Sequence, residues 1–289
     1  MIDFLFTTSK TVSIYKNGKI KDLFLKENNK RIYGLTWDEN IIYSLHHEPK
    51  TNAEHIHMFC KKSLKHLGIL NIPIKISGGH QIFYYKNLLY VVNTDKNLVS
   101  IVNPKNKKLV RNIKWRGNST KHHINSIWCD GKKLYVCEHN GGRANDNIMP
   151  SCIQSLDMDF KNLHLYKNIG KHTHNIYIED GCFIVCSSID SKIVRYDIKT
   201  QKAILRKPIS ALNNNAWYVR GLARTSDKWI VGLSYRKKRQ DRPFANRGGI
   251  IILDNNFNVL KEIPINNYGQ IFEIRAISEL DKAHNGIPF

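Results

Sequence analysis

A six-bladed β-propeller is the fold this sequence predicts, and three observations predict it. A hairpin of constant length recurs along the 289 residues, with anchors 45 to 49 residues apart. Two further strand-like segments follow each hairpin, which makes a four-strand unit of propeller-blade length. The two chain ends carry complementary parts of one more unit, so that strands from both termini close a ring and leave no free sheet edge.

The N-terminal stretch DFLFTTSKTVSIYKNGKIKDLFL supplies three strands and lacks a first one. The hairpins then align on the centres of their second strands, Tyr43, Tyr90, Tyr135, Ile184 and Ile230. Ten residues before each stands an anchor: Tyr33, His80, Asn125, His174 and Arg220. Leu or Ile follows two positions later, as Leu35, Ile82, Ile127, Ile176 and Leu222. The turns between are WDEN, YKN, CDGKK, EDG and TSDK, whose Asn, Asp and Gly suit tight hairpins. Third and fourth strands read as LVSIVNP with KLVRNIKW, KIVRYDIKT with AILRKPI, and GGIIILDNN with NVLKEIPI. GQIFEIRAIS is a lone strand at the C-terminal end and becomes the missing first strand of the opening blade. The prediction is one domain over 1–289. Loss of the last fifteen residues should then abolish folding.

Composition bounds the function classes. Hydrophobic residues make up 42%, enough for a sizeable core. No apolar run is long enough to span a membrane, and the N-terminus MIDFLFTTSK has no signal-peptide pattern. Six scattered cysteines form no CxxC pair, which argues for a reduced, cytoplasmic protein rather than a disulfide scaffold or zinc ribbon. The net charge of +21 would attract anions, including nucleic acid. The lysines are spread through turns, however, and the basic runs lack the interleaved aromatics of a single-strand binder. GxGxxG, Walker, HExxH and GxSxG motifs are absent.

The repeat sorts residues by face. In a propeller the first strand lines the channel, and its start shares one face with the loop after the second strand. The openers are Tyr33, His80, Asn125 with His122 and His123 just before it, His174 and Arg220, with Gln270 and Glu273 on the closing strand. The loops add His46, His47, Asn93, Glu138, His139, Ser188, Ser234 and Arg236. A scaffold rule would repeat one residue type at each anchor. Here the position repeats and its chemistry does not, which is the pattern of a site built on a repeat. His80 and His174, with Tyr33 beside them, are the expected acid–base groups. Arg220, Arg236, Asn125, His123, His139 and Glu273 are the expected substrate-binding groups. A divalent ion (zinc, manganese, iron or calcium) held by His80, His174 and Glu138 is an alternative use of the same histidines. His55 and His57, in AEHIHMFC, read as one face of a surface strand. The basic loop YRKKRQDRPFANRGG, with Arg239 and Arg242, reads as a lid or anion clamp, and the Gly-rich HNGGRAND reads as a connecting loop.

The C-terminal part also resembles an uncharacterised bacterial propeller family. The resemblance rests on Arg220–Ala223 (RGLA), Val231–Ser234 (VGLS), Arg236, Arg247, Asp254 and the closing QIFEI of residues 270–274, where Gln270 stands in place of an acid. It implies the fold and no activity. Propeller lyases that use channel histidines are similar in architecture and chemistry only. The function these features predict is a lyase or hydrolase for a small anionic or sugar-derived substrate at the channel mouth. The alternative is a non-catalytic propeller that recognises an acidic partner.

Overall fold

The computed structural model of the chain describes residues 2–25, 31–48, 51, 53–115, 122–139, 150–214, 216–236 and 247–289. In chain order the strands are β1 (Phe4–Thr8), β2 (Thr11–Lys16), β3 (Lys19–Leu25), β4 (Arg31–Trp37), β5 (Ile41–Glu48), β6 (Ala53–Cys60), β7 (His66–Ile69), β8 (Gly79–Tyr85), β9 (Leu88–Asn93), β10 (Leu98–Asn103), β11 (Lys108–Lys114) and β12 (Ile124–Cys129). They continue as β13 (Lys133–Glu138), β14 (Cys152–Asp157), β15 (His164–Tyr166), β16 (Thr173–Glu179), β17 (Cys182–Ser187), β18 (Lys192–Asp197), β19 (Lys202–Pro208), β20 (Trp217–Arg224), β21 (Trp229–Tyr235), β22 (Gly248–Leu253), β23 (Val259–Pro264) and β24 (Ile271–Ala276). They form six four-stranded antiparallel sheets. The first strands β4, β8, β12, β16, β20 and β24 neighbour one another around a ring. This is a six-bladed β-propeller. One blade has the order β24-β1-β2-β3, so both chain ends close it, as the sequence predicts.

Alternating apolar residues build the core between blades. The second strands are buried almost throughout, as in β9, β13 and β17. The outermost strands β11, β19 and β23 are largely exposed. Trp37, Trp115 and Trp229 are among the largest fully buried side chains and fill the wedges between sheets.

The anchor position has a structural cause. In all six blades the register between the first and second strand slips at the same place. Such a bulge takes residues out of the ladder and re-aims them. The residues displaced are Tyr33 with Gly34, His80 with Gln81, Asn125, Asn175, Arg220 with Gly221, and Phe272. Gly221 at φ 86° and Asn175 at φ 57° take the left-handed conformation that this kink uses, one that glycine adopts without strain and asparagine more readily than most residues. The bulge turns the anchors Tyr33, His80, Asn125 and Arg220 out of the ladder, whereas the anchor His174 stays paired with Cys186 and its blade bulges one residue later, at Asn175.

The C-terminal segment after β24 closes one end of the channel. Asp281 accepts the backbone N–H groups of Arg224, Ala276 and Ala283 at 3.0 Å each. His284 meets Thr36 at 3.2 Å and packs against Trp37. The Trp37 indole donates to the Ile287 carbonyl at 2.9 Å, and Phe289 lies edge-on to the same indole.

One expectation changes. His57 is buried and does not belong to a surface face. It stacks on His46 with centroids 3.9 Å apart, meets His66 at 2.9 Å, and packs on Phe24 of β3. The adjoining blade covers this face of β6, which one strand's periodicity does not reveal.

Candidate functional site

The end of the channel where the first strands start holds a collar of imidazoles, aromatic rings and one guanidinium. Tyr33 stacks on His80 at 4.9 Å, and His80 meets His123 edge-on at 5.0 Å. His123 lies 4.8 Å from His139, which lies 4.1 Å from His172 and 5.0 Å from His174. Tyr218 follows at 5.7 Å from His174. The Arg220 guanidinium sits over Phe272 at 4.6 Å and over Tyr33 at 5.5 Å, which completes the circle. Aromatic faces favour a guanidinium in that position.

Hydrogen bonds fix the tautomers. His174 Nδ1 lies 2.9 Å from the His172 carbonyl and 2.8 Å from Ser188 Oγ, and Ser188 donates to the Val219 carbonyl at 2.6 Å. A carbonyl only accepts, so His174 Nδ1 carries the proton and Nε2 presents a lone pair. His80 repeats the arrangement. Its Nδ1 faces the Gly78 carbonyl at 2.8 Å and Thr94 Oγ1 at 3.0 Å, and Thr94 donates to the Ile124 carbonyl at 2.6 Å. His139 is the converse. Asn125 Nδ2 must donate to the Thr173 carbonyl, at 2.8 Å, and the same amide lies 3.2 Å from His139 Nδ1. His139 Nδ1 therefore accepts, and its proton sits on Nε2. Two adjacent neutral imidazoles thus hold opposite tautomers. Burial first, then Arg220 and the neighbouring imidazoles, push His174 well below the usual histidine range. Burial, then His123, His172, His80 and Arg220, do the same to His139.

Beneath the collar lies a polar floor. Glu273 accepts from Gln81 at 2.8 Å and from Asn175 at 2.9 Å, and pairs with Arg275 at 3.1 Å. Gln81 also accepts the Ile127 N–H at 2.7 Å, and Asn175 accepts the Gly221 N–H at 2.8 Å. Arg275 is held further by the carbonyls of Leu35, Leu222 and Ile274. Burial pushes the Glu273 carboxyl up, against the pull of Arg275, Gln81 and Arg220. Its carboxylate belongs to the floor, where it pairs with Arg275. The collar, at the starts of the first strands, lies opposite the C-terminal segment, which packs on their ends at Trp37, Arg224 and Ala276.

The structure brings together Tyr33, His80, His123, Asn125, His139, His174 and Arg220, and sets Glu273 below them. It does not bring in Arg236 or Glu138. Arg236 donates to the Ile189 carbonyl and to Ser191 Oγ at 3.1 Å, on the neighbouring blade. Glu138 is buried against His122 at 3.2 Å, so the trio of His80, His174 and Glu138 is not assembled. Among the described residues no group of three His, Cys, Asp or Glu side chains is placed to hold a metal ion. His46 and His47 point away from the mouth, to Ser44 and Glu54. Asn93 braces Ser77 and Lys75. Arg239, Arg242 and most of HNGGRAND lie outside the described residues. Sequence reading missed His172, Tyr218, Phe272 and Arg31, whose guanidinium meets the Tyr33 hydroxyl at 3.4 Å. The signal was present: His172, Tyr218 and Arg31 stand two residues before an anchor, as His123 does, and two residues is the strand period.

No family model matches the chain, and no curated protein matches it. Solved structures do, at the level of fold. A chain of a nidogen–laminin complex superposes with a TM-score of 0.68 at 10% identity, over 96% of this chain and 98% of that one. A protein of unknown function from Bacteroides caccae gives 0.67 at 12% identity, over 96% and 99%. A luciferin-regenerating enzyme gives 0.59 at 12% identity, over 84% and 78%. Uncharacterised propellers are thus among the similar folds, and the named ones have unlike roles. Among the described residues no helix is long and apolar enough to cross a membrane.

Proposed function

We propose that the protein is an enzyme of lyase or hydrolase type that acts on a small anionic or sugar-derived substrate at the open channel mouth. The observation that carries this reading is the His174–His139 pair, neutral and in opposite tautomers, beside the Arg220 guanidinium. Arg220 holds the substrate's negative group through its fork. His174 Nε2 accepts a proton, and His139 Nε2–H donates one. His80, with the same tautomer as His174, is a second acceptor across the mouth. Tyr33 stacks under His80 and Arg220, and Asn125 sets the His139 tautomer. General acid–base catalysis of this kind contributes roughly 10²–10⁴-fold.

The test begins with a thermal-shift screen of anionic metabolites, followed by turnover assays on the hits. Arg220→Ala should abolish the shift. His174→Ala should keep the shift and lower turnover by roughly a hundredfold or more. A ligand that binds and is never converted identifies a binding module, and turnover that survives His174→Ala removes His174 from the chemistry.

A further inference from the structure

We infer that the channel carries a second, enclosed binding site, between the polar floor and the C-terminal segment, and that it takes a monatomic anion of chloride type. This site lies below the collar and does not rest on the reading above. Its walls are the first strands one step past the floor. Pairing with the second strands sets Thr36, Phe83, Trp128, Tyr177, Ala223 and Arg275 at matched positions. Phe83, Tyr177 and Arg275 stand two residues after the floor residues Gln81, Asn175 and Glu273, and two residues is the strand period. The C-terminal segment bounds this level from the other side. The Lys282 N–H donates to the Arg224 carbonyl at 2.6 Å, and Asn285 Nδ2 donates to the Trp37 carbonyl at 2.6 Å. Between these ties His284 packs on Trp37 and Phe83, with centroids 4.3 and 5.9 Å away. All strand connections at this end of the channel lie within the described residues.

Three buried nitrogens at this level have no hydrogen-bond partner among the described residues: Arg275 Nη2, Trp128 Nε1 and His284 Nδ1. Their residues are 1%, 8% and 5% exposed. Arg275 Nε donates to the Leu35 carbonyl on β4, and Nη1 donates to the Leu222 carbonyl on β20. Both flanking blades are thus taken, and Nη2 is left for the channel. Arginine and tryptophan only donate. His284 donates as well. Thr36 Oγ1 accepts the Tyr84 N–H at 3.0 Å and lies 3.2 Å from His284 Nε2. Its one proton goes to Nε2, so the ring proton sits on Nδ1. Burial first, then Arg275 and Lys61, hold this imidazole well below the usual histidine range and hence neutral. The nearby carboxylates use other donors. Glu273 takes Gln81, Asn175 and Arg275 Nη1, and Asp281 takes the backbone N–H groups of Arg224, Ala276 and Ala283. Burial also pushes both carboxyls up, Asp281 to about 6, toward the neutral form that repels an anion least. Buried donors call for an acceptor. A water would bring two protons that these donors cannot receive. A halide takes several N–H groups, brings no proton, and sets its charge against the guanidinium.

The test uses crystals of the full chain in sodium bromide, whose anomalous signal marks the ion. The expected result is a peak in contact with Arg275 Nη2, between Glu273 and His284. A water there that bromide does not replace overturns the assignment, as does the lack of any peak at this level. In solution, bromide should raise Tm by about 2 °C or more over methanesulfonate, a bulkier monoanion, at equal ionic strength. Trp128→Phe keeps the packing and removes one donor, so it should roughly halve this increment. Arg220→Ala, in the collar, should leave it. Equal Tm in the two salts means an ion held at crystal concentration only and overturns the proposal. An increment that Trp128→Phe leaves whole, or that Arg220→Ala removes, places the ion elsewhere and overturns it as well.

Discussion

At the scale of single residues, the imidazoles of His139 and His174 are held neutral by burial and by their neighbours, and this has a cost in acid. His139 and His174 sit well below their ordinary range, for the reasons of burial and neighbouring positive charge. An unfolded chain would protonate them near the ordinary histidine value of about 6.5. The stability they contribute is therefore complete above about pH 6.5 and is lost as the pH falls toward their folded values. Asp281 acts with the opposite sign. Its buried carboxyl is raised to about 6, so its contribution is present in acid and is lost as the pH rises through that value. A comparison between variants separates the two. Urea denaturation of the His139→Asn/His174→Asn protein should show a smaller loss of stability between pH 7.5 and 5.5 than the parent chain. An identical loss would mean that these imidazoles do not carry the depressed protonation.

At the scale of elements, three of the six blades are pinned to the next by a hydroxyl at or just after the end of the second strand. Thr94 donates to Ile124, Ser188 to Val219 and Ser234 to Ile271, each time to the carbonyl just before the next blade's anchor. Two of these hydroxyls also meet the anchor histidine of their own blade, so scaffold and site share the same atoms. Thr94→Val should leave the Ile124 carbonyl unmet and cost about 1–3 kcal/mol, read from urea midpoints. A cost below about 0.5 kcal/mol would place the pin elsewhere. This pattern was legible in principle, because Thr94, Ser188 and Ser234 each lie fourteen residues after their anchor. The anchors themselves and the four-strand units were read from spacing alone, since propeller strands repeat on a fixed period. The bulge was not legible, because register is a property of two strands. Nor were the partners of Arg236 and Glu138, since they depend on rotamers and on a neighbouring blade. The C-terminal cap escaped for a different reason. Its contacts, such as Asp281 with Arg224 and Ile287 with Trp37, follow no period.

At the scale of the whole molecule, closure and site depend on the same strand. β24 pairs with β1 and carries Phe272 in the collar, Glu273 in the floor and Arg275 beneath it. Removing residues 275–289 takes the end of that strand, the partner of Glu273 and the cap of the far mouth. The shortened chain should show no cooperative unfolding transition, because a buried carboxylate stripped of its partner costs about 3–5 kcal/mol before the lost packing is added. A monodisperse truncated protein with the parent melting curve would refute closure by β24. The net charge of +21 acts at this scale as well, as a field that draws anions toward the surface. It gives no preference for one place. On the proposed reading, that preference comes from Arg220 and the imidazoles around it. The most direct test of this claim is a crystal soaked in selenate, whose selenium marks its own position by anomalous scattering. The predicted result is a peak inside the collar, in hydrogen-bond contact with Arg220 and an imidazole of the His139–His174 pair. Peaks confined to surface lysines, with the collar empty, would contradict the account.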